Sequence, residues 1–185
     1  MAASVGRDER LRLFLAVQLP APAVEELAEW QTRELRGGRI VPRENLHITL
    51  AFLGSRPARE LPAILDVLRR AAADAEPVRF DVAGYRETRS VGMLTLADEA
   101  GGATRLAHRL HDELEALGVY RREARPWLPH VTVLRFRERP RLRPEPPALG
   151  WVSSDAAAFL SRLHPPNPAA TAARYEVLDS FRLGG

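Results

Sequence analysis

The sequence predicts an α+β fold of two pseudo-symmetric lobes, each a mostly antiparallel sheet backed by helices, with a central cleft between them. Helical and extended hydrophobic patterns follow one another in similar order in the two halves of the chain, which divide near residue 90. Each half contains one predicted strand with a His-x-Thr motif, at His47–Thr49 and at His130–Thr132. The composition, 45% hydrophobic and 28% charged over 185 residues, is that of a globular protein with a sizeable core. A single α+β sheet without internal symmetry is the alternative.

The first half begins with a short apolar run that Pro20 and Pro22 close, as expected for a buried strand. In the helix that follows, apolar residues recur at mostly helical spacing as far as Gly37 and Gly38. A second strand ends at Gly54, and a second helix and a half-buried strand complete this half. In order, the predicted elements are a strand at 12–19, a helix at 21–36, a strand at 46–53, a helix at 58–75 and a strand at 78–82.

The second half repeats much of this order. Its helix carries Leu106, Leu110 and Leu114 on one side and stops at Gly118. The segment 137–147 is rich in Arg and Pro and is predicted to be an extended surface loop. The predicted elements are a strand at 91–96, a helix at 101–117, a strand at 130–136 and two strands at 156–163 and 174–183.

The chain ends and hydropathy suggest one soluble domain. Residues 1–10 are polar and mixed in charge, so we expect a flexible N-terminal leader followed by a single bilobal domain at 11–185. The sequence contains no run of about 18 apolar residues, which a transmembrane helix needs, and the leader lacks the apolar core of a secretory signal. We therefore expect a cytoplasmic protein without a membrane partner. A monomer is the default expectation, since the sequence does not reveal the oligomeric state.

Residue types that are missing exclude several chemistries. The chain has no cysteine, which excludes disulfides, thiolate metal sites and cysteine nucleophiles. All 27 basic residues are arginine, so a lysyl–nucleotide intermediate, a Schiff base and the lysine of a P-loop are excluded as well. Arginine suits bidentate binding of phosphate. The net charge of +3 is compatible with a nucleic-acid or nucleotide partner but does not require one.

The two His-x-Thr strands present the same pair of polar groups. Residues two apart share a strand face, so His47 and Thr49 point one way while Ile48 points into the core. His130 and Thr132 repeat this arrangement. If the lobes face each other, two imidazoles and two hydroxyls line one cleft.

Such a set suits hydrolysis of a phosphodiester. One histidine can deprotonate the attacking water while the other protonates the departing oxygen, each contributing about 10² to 10⁴ in rate. The threonine hydroxyls can donate hydrogen bonds to the non-bridging phosphate oxygens, where charge develops. Neither a metal nor a lysine is required. Taken alone, a His-x-Thr strand is a weak signal, because a single strand histidine is more often structural.

Two longer segments resemble the 2H phosphoesterases, in particular the RNA 2′,3′-cyclic phosphodiesterases also known as 2′-5′ RNA ligases. They read Asn45-Leu-His-Ile-Thr-Leu-Ala-Phe-Leu-Gly54 and Arg125-Pro-Trp-Leu-Pro-His-Val-Thr-Val-Leu-Arg135. The opening Arg12-Leu-Phe-Leu-Ala-Val also matches the first strand of that family, so the resemblance covers nearly the whole chain. In the second motif, Trp127 and Val133 replace a more usual Phe and Leu.

The resemblance implies a function and a catalytic tetrad of His47, Thr49, His130 and Thr132. Family members hydrolyse a 2′,3′-cyclic phosphate to a 2′-phosphate without a metal or nucleotide cofactor. The implied substrate is an RNA or oligonucleotide with such an end, or a cyclic nucleotide. In the family scheme the first histidine is the acid toward O3′ and the second activates water, an order that the residues alone leave open. ATP-independent 2′-5′ ligation by the reverse reaction and a non-catalytic module that binds RNA ends or nucleotides are the alternatives.

Three further residues are candidate substrate-binding groups. Arg135 lies five positions after His130, on the opposite face if the strand stays regular, although the family pattern favours the substrate side. Arg43 precedes the first motif and contacts phosphate or is simply solvated. Phe14 either stacks on a base or packs in the core. We expect Trp127 to pack in the core or at the rim of the site.

The remaining polar clusters have plainer interpretations. His108 and His111 have the i, i+3 spacing of helical metal ligands but no further ligand nearby, which favours a solvated helix face. His164 precedes two prolines and is predicted to lie in a loop. The arginine-rich run 137–143 is either a solvated loop or a contact for the RNA backbone.

Overall fold

The computed structural model describes residues 9–162 and 173–185 of the chain. Most of the expected leader at 1–10, and His164, therefore lie outside the described residues. The described part contains nine strands and three helices. In chain order these are β1 (Arg10–Gln18), α1 (Ala21–Glu34), β2 (Arg39–Ile40), β3 (His47–Pro57), α2 (Leu61–Ala73), β4 (Val78–Glu87), β5 (Val91–Ala97), α3 (Gly102–Ala116), β6 (His130–Arg135), β7 (Gly150–Ser153), β8 (Asp155–Arg162) and β9 (Arg174–Arg182).

The strands form two antiparallel sheets. The first sheet has the order β3-β1-β8-β9, and the second has the order β2-β6-β5-β4-β7. Helices α2 and α3 pack against each other, α2 packs on β8 and β9, and α3 packs on β3. One hydrophobic cluster contains side chains from both sheets and all three helices. The predicted α+β class with two sheets is confirmed, and the single-sheet alternative is wrong.

The two sheets do not correspond to the two halves of the chain, which corrects the expected division near residue 90. The first sheet joins β1 and β3 to the last two strands, and the second sheet joins β2 and β4 to β5, β6 and β7. Strand β1 is buried along most of its length and lies between β3 and β8. Its backbone groups need a partner on each side, and the C-terminal part of the chain supplies the second one.

Most predicted elements are present with shifted ends. The helix predicted at 58–75 begins with a single 3-10 turn, Ala58–Glu60, before α2. Strand β4 runs on to Glu87, past the predicted end at 82, because a bulge between Val82 and Gly84 interrupts the alternation. Strands β2 and β7 were not predicted, since segments of two and four residues carry too little pattern. The segment 137–147 contains no helix or strand, as predicted.

Short-range signals explain the helix starts. Both α1 and α2 have a proline in the first turn, where a missing N–H breaks no helical hydrogen bond. Helix α3 begins after Gly101, whose φ of 68° lies in the left-handed region that glycine adopts readily. No helix in the described part of the chain is long and apolar enough to span a membrane.

Candidate active site

The first His-x-Thr strand carries its motif on the face opposite the core, as predicted. His47 and Thr49 are partly exposed, whereas Ile48 and Leu50 are buried. The pairing of β3 with β1 then shifts by one residue, so that Leu50 and its neighbour Ala51 are both buried. This bulge reverses the alternation and returns Phe52 to the face of His47 and Thr49.

The second His-x-Thr strand repeats this arrangement, including the bulge. Strand β6 shifts by one residue against β5 at Val133, so that Val133 and Leu134 are both buried. Arg135 thereby returns to the face of His130 and Thr132. Arg135 would lie on the opposite face only in a regular strand, and the pleat of β6 is not regular. The motifs thus extend to His-x-Thr-x-x-Phe in β3 and His-x-Thr-x-x-Arg in β6.

A cavity of about 380 Å³ lies where the two strands meet. His47, Thr49 and Phe52 of β3 and Thr132 and Arg135 of β6 line it. His130 does not itself line this volume; it precedes Thr132 by one pleat on the same face. The other lining residues are Arg12, Phe14, Arg39, Ile40, Val41, Pro42, Asn45, Ser161, Ala173 and Tyr175.

Each motif imidazole is oriented by the backbone in the same way. The Nδ1 atom of His47 lies 2.7 Å from the carbonyl oxygen of Asn45, and Nδ1 of His130 lies 2.8 Å from that of Leu128. A carbonyl can only accept, so Nδ1 carries the proton in both rings. In the neutral ring Nε2 is then an acceptor, and for His47 it lies 3.1 Å from the Thr49 hydroxyl. Both histidines thus have Nε2 available for proton transfer.

The electrostatic surroundings of His47 disfavour its charged form. Burial lowers the pKa of His47 to about 4, although the Asn45 carbonyl acts in the opposite direction. The positive charges of His130 and Arg135 lower the pKa further. His47 is therefore neutral at pH 7 in the unliganded cavity.

An aromatic cluster holds the His47 ring in place. The Phe14 ring centroid lies 4.8 Å from that of His47 and 4.9 Å from that of Phe159, with which it is stacked. Tyr175 meets His47 edge-on with centroids 5.4 Å apart. Phe14 lines the cavity but is only 3% exposed, so its role in this structure is packing against His47. The core-packing alternative for Phe14 fits this burial better than base stacking does.

The carbonyl groups at both bulges are bonded by side chains from elsewhere in the fold. The Trp127 indole donates to the Thr49 carbonyl at 3.0 Å, and Nε2 of His111 donates to the Leu50 carbonyl at 2.8 Å. At the other bulge, the Gln31 amide donates to the Val133 carbonyl at 2.8 Å. His111 is 4% exposed, so the solvated face expected for it is wrong, although His108 is exposed. These bonds fix the bulges that aim Phe52 and Arg135.

Arginine side chains give the cavity a positive wall. Arg12, Arg39 and Arg135 line it, and the Arg12 guanidinium lies 4.7 Å above the Phe52 ring. Arg43 does not line the cavity. It lies in a 3-10 turn and forms an ion pair with the exposed Glu25 of α1 at 2.8 Å, so the structure does not bring it to the other candidates.

Several cavity residues were not found in the sequence. Arg12, Arg39 and Tyr175 come from strands without a motif, and only the folded chain brings them together. Phe52 could have been found, because it follows Thr49 at the distance that separates Arg135 from Thr132. Among the described residues, no group of His, Asp or Glu could hold a metal ion.

Comparison with known proteins gives consistent matches along the chain. Residues 19–166 match the sequence profile of the 2′-5′ RNA ligase superfamily. An RNA 2′,3′-cyclic phosphodiesterase of Thermus thermophilus is 36% identical over 95% of this chain and 91% of its own length. One of Escherichia coli is 32% identical over 78% of this chain and 82% of its own length.

Solved structures agree with these matches. The crystal structure of TT0787 of Thermus thermophilus superposes with a TM-score of 0.81 at 34% identity, covering 95% of this chain and 99% of that one. The crystal structure of Escherichia coli LigT complexed with 3′-AMP superposes with a TM-score of 0.82 at 25% identity, covering 96% of this chain and 100% of that one.

Proposed function

We propose, because the chain belongs to the 2′-5′ RNA ligase superfamily, that it hydrolyses 2′,3′-cyclic phosphate ends of RNA or nucleotides to 2′-phosphates. The relatives of Thermus thermophilus and Escherichia coli are both named RNA 2′,3′-cyclic phosphodiesterase. LigT binds 3′-AMP, which carries the kind of group that the cavity would accept here. The enzyme class is therefore phosphoric diester hydrolase.

One observation supports the proposal: two equivalent His-x-Thr strands meet at an arginine-lined cavity, which His47, Thr49 and Thr132 line, and His130 lies one pleat before Thr132 on the same face. Both imidazoles are fixed through Nδ1 by a carbonyl oxygen two residues earlier, so their Nε2 atoms are held ready for proton transfer. A histidine with a purely structural role gives no reason for the same hydrogen-bond geometry to recur in a second sheet. The tetrad of His47, Thr49, His130 and Thr132 is accordingly our proposed catalytic set.

In the proposed mechanism the phosphate is bound by hydroxyl and guanidinium groups. Thr132 donates a hydrogen bond to a non-bridging oxygen, and Arg135 neutralises the phosphate charge. Thr49 can donate a second one once His47 is protonated, because Nε2 of His47 then no longer accepts from the Thr49 hydroxyl. One histidine removes a proton from water as the oxygen attacks phosphorus. The other delivers a proton to O3′ as the P–O3′ bond breaks, which leaves the phosphate on O2′. Water gives one proton to one histidine, and O3′ takes one proton from the other histidine. The hydrolysis therefore needs no net proton from elsewhere.

The protonation state of His47 determines which role it can take. Being neutral at pH 7 in the unliganded cavity, it can act as the acid only if it gains a proton together with the substrate. An anionic phosphate beside the ring favours the imidazolium and can supply this change. The family order, with His47 as acid and His130 as base, therefore requires the pKa of His47 to rise on binding.

Product analysis tests the proposed reaction. The protein is incubated with an oligonucleotide that ends in a 2′,3′-cyclic phosphate, and the products are separated and identified. We expect a 2′-phosphate, and a His130→Ala variant to lose about 10² to 10⁴ in rate because one proton-transfer group is gone. A His108→Ala variant is the matched control, since this exposed histidine lies on α3, outside both motif strands. A 3′-phosphate product, or full activity of His130→Ala, would contradict the mechanism.

The superfamily name gives reason to test the reverse reaction in the same assay. A 5′-hydroxyl oligonucleotide is added with and without ATP, and a joined product that forms without ATP identifies 2′-5′ ligation. Binding of the cyclic end without any turnover would instead identify a non-catalytic module. The complete tetrad favours hydrolysis over this last alternative.

A further inference from the structure

A loop rich in arginine leaves the active site along the end of the second sheet. We call residues 136–143, which follow β6, the arginine loop. A single buried carboxylate organises it: Glu87 accepts hydrogen bonds from Nε of Arg139 at 3.0 Å, the N–H of Arg141 at 3.0 Å and the N–H of Leu142 at 2.8 Å. The Tyr85 hydroxyl donates to the same carboxylate at 3.2 Å. The loop is therefore fixed although it has no regular structure.

The Glu87 carboxylate stays ionised in this setting. Burial alone would raise its pKa, but the hydrogen bonds from the Leu142 N–H, the Arg139 guanidinium and Tyr85 hold the pKa below its ordinary value. The charge of Glu87 is thus directed at backbone N–H groups and one guanidinium inside the loop. It leaves the other arginines of the loop without a counter-ion.

The arginine loop continues the positive wall of the cavity. Arg135 lines the cavity, Phe136 is buried, and Arg137 is exposed. Arg39 of β2 lies opposite Arg135 of β6 in the antiparallel register, and it also lines the cavity. The Phe136 N–H bonds to the Ser90 carbonyl, which places the β4–β5 turn beside the loop.

Three exposed arginines of the arginine loop are not paired with a carboxylate among the described residues. Arg137, Arg141 and Arg143 are exposed and form no ion pair with any residue that the structure describes. The run 135–143 contains five arginines and one acidic residue, Glu138. On the first sheet, by contrast, Arg162 is paired with Glu176 at 3.0 Å. Like charges held together without partners repel one another, which favours a polyanion as the ligand.

We propose that the arginine loop binds the phosphate backbone of the RNA strand that precedes the cyclic end, so that the preferred substrate is an oligonucleotide rather than a cyclic mononucleotide. This inference deepens the proposed function and rests on it. The cavity takes the terminal nucleotide, and Arg137, Arg141 and Arg143 contact phosphates farther along the strand. Guanidinium groups bind such phosphates without reading the bases, so length should matter more than sequence.

The test compares two substrates at several salt concentrations. Turnover of adenosine 2′,3′-cyclic phosphate and of an eight-nucleotide single strand with a 2′,3′-cyclic end is measured for the native protein and for R137Q/R141Q/R143Q. Three lost phosphate contacts reduce the steepness of the plot of log(kcat/KM) against log[salt] for the oligonucleotide by about 2, which is a factor of about 16 between 50 and 200 mM salt. The variant should lose activity on the oligonucleotide but not on the mononucleotide.

The matched control removes the same charge elsewhere. In R69Q/R79Q/R182Q the three arginines lie on α2, at the start of β4 and at the end of β9. Arg79 is about 26 Å along β4 from Glu87, and Arg182 is about 23 Å along β9 from Tyr175. This variant should keep the salt dependence of the native protein. An equal change in both variants would mean that net charge alone matters and would overturn the inference.

A binding measurement separates this inference from the proposed function. Fluorescence anisotropy of a labelled eight-nucleotide strand ending in a 2′-phosphate reports binding without turnover. If the native protein cleaves neither substrate, the proposed function is wrong. The salt dependence of binding, measured by anisotropy, then still tests whether the arginine loop binds RNA. If R137Q/R141Q/R143Q binds the strand with the native affinity and salt dependence, the arginine loop does not bind RNA.

Discussion

At the scale of single residues, the two motif histidines have the same hydrogen-bond geometry but different surroundings. His47 is enclosed by Phe14, Phe159 and Tyr175, which remove water from its ring. His130 has no comparable ring contacts among the described residues, although its Nδ1 is held in the same way. The difference in desolvation sets the two imidazoles apart, since burial favours the neutral form of the His47 ring.

The pKa of His47 gives a prediction that bears on its role. Titration of the His47 ring by NMR should give a value of about 4 in the free protein, because burial and the nearby positive charges disfavour the imidazolium. Saturation with adenosine 2′-phosphate should raise the pKa above the ordinary value of about 6.5, since the bound anion favours the charged ring. Protons are then taken up on binding at pH 7. If the pKa stays near 4 in the complex, His47 cannot be the acid, and His130 must take that role.

At the scale of elements, the two bulges determine which side chains reach the cavity. Without the extra residue in β3 and in β6, Phe52 and Arg135 would face the opposite side of their strands. The bulged carbonyls are bonded by polar side chains from α1, α3 and the segment before β6. The packing of α1, α3 and the segment before β6 is therefore coupled to the site geometry through three hydrogen bonds.

Trp127 allows this coupling to be tested. A Trp127→Phe substitution keeps an aromatic ring but leaves the Thr49 carbonyl without its donor, so we expect a loss of about 1–3 kcal/mol in the free energy of unfolding. We also expect kcat to fall with KM little changed, because Thr49 is less well aligned in the transition state. Urea unfolding and steady-state kinetics measure the two effects.

Trp151 provides the matched control for this substitution. Trp151 is buried, whereas Trp127 is partly buried, and the Trp151 indole N–H finds no acceptor among the described residues. Trp151→Phe therefore removes a donor that bonds to nothing there. Trp151→Phe should keep kcat. Equal kinetic effects of both substitutions would show that the indole of Trp127 has no special role in the site.

At the scale of the whole molecule, the chain alternates between the two sheets and cannot be cut into independent lobes. Strand β1 needs β8 as well as β3, and β4 lies between β5 and β7 in the second sheet. One hydrophobic cluster joins the sheets and the helices. We therefore propose that residues 11–185 form one folding unit with two lobes.

This architecture predicts cooperative unfolding. The full chain should show a single urea transition by far-UV circular dichroism and by tryptophan fluorescence, with the same midpoint for both probes. Separate fragments 1–90 and 91–185 should not fold, because each lacks strands that complete both sheets. A folded fragment, or two resolved transitions in the full chain, would contradict a single unit.

The sequence by itself determined the fold class, most of the elements and the two His-x-Thr pairs, because strand periodicity and motif spacing are local properties of the chain. Arg135 shows the limit of this information: its face depends on a bulge at Val133, which the pairing with β5 produces and no local pattern reveals. For Arg43 the sequence left phosphate contact and simple solvation open, and the folded chain pairs it with Glu25 on a neighbouring helix. Only the tertiary structure decided that Arg12, Arg39 and Tyr175 join the site, since distant strands meet there through long-range pairing and burial.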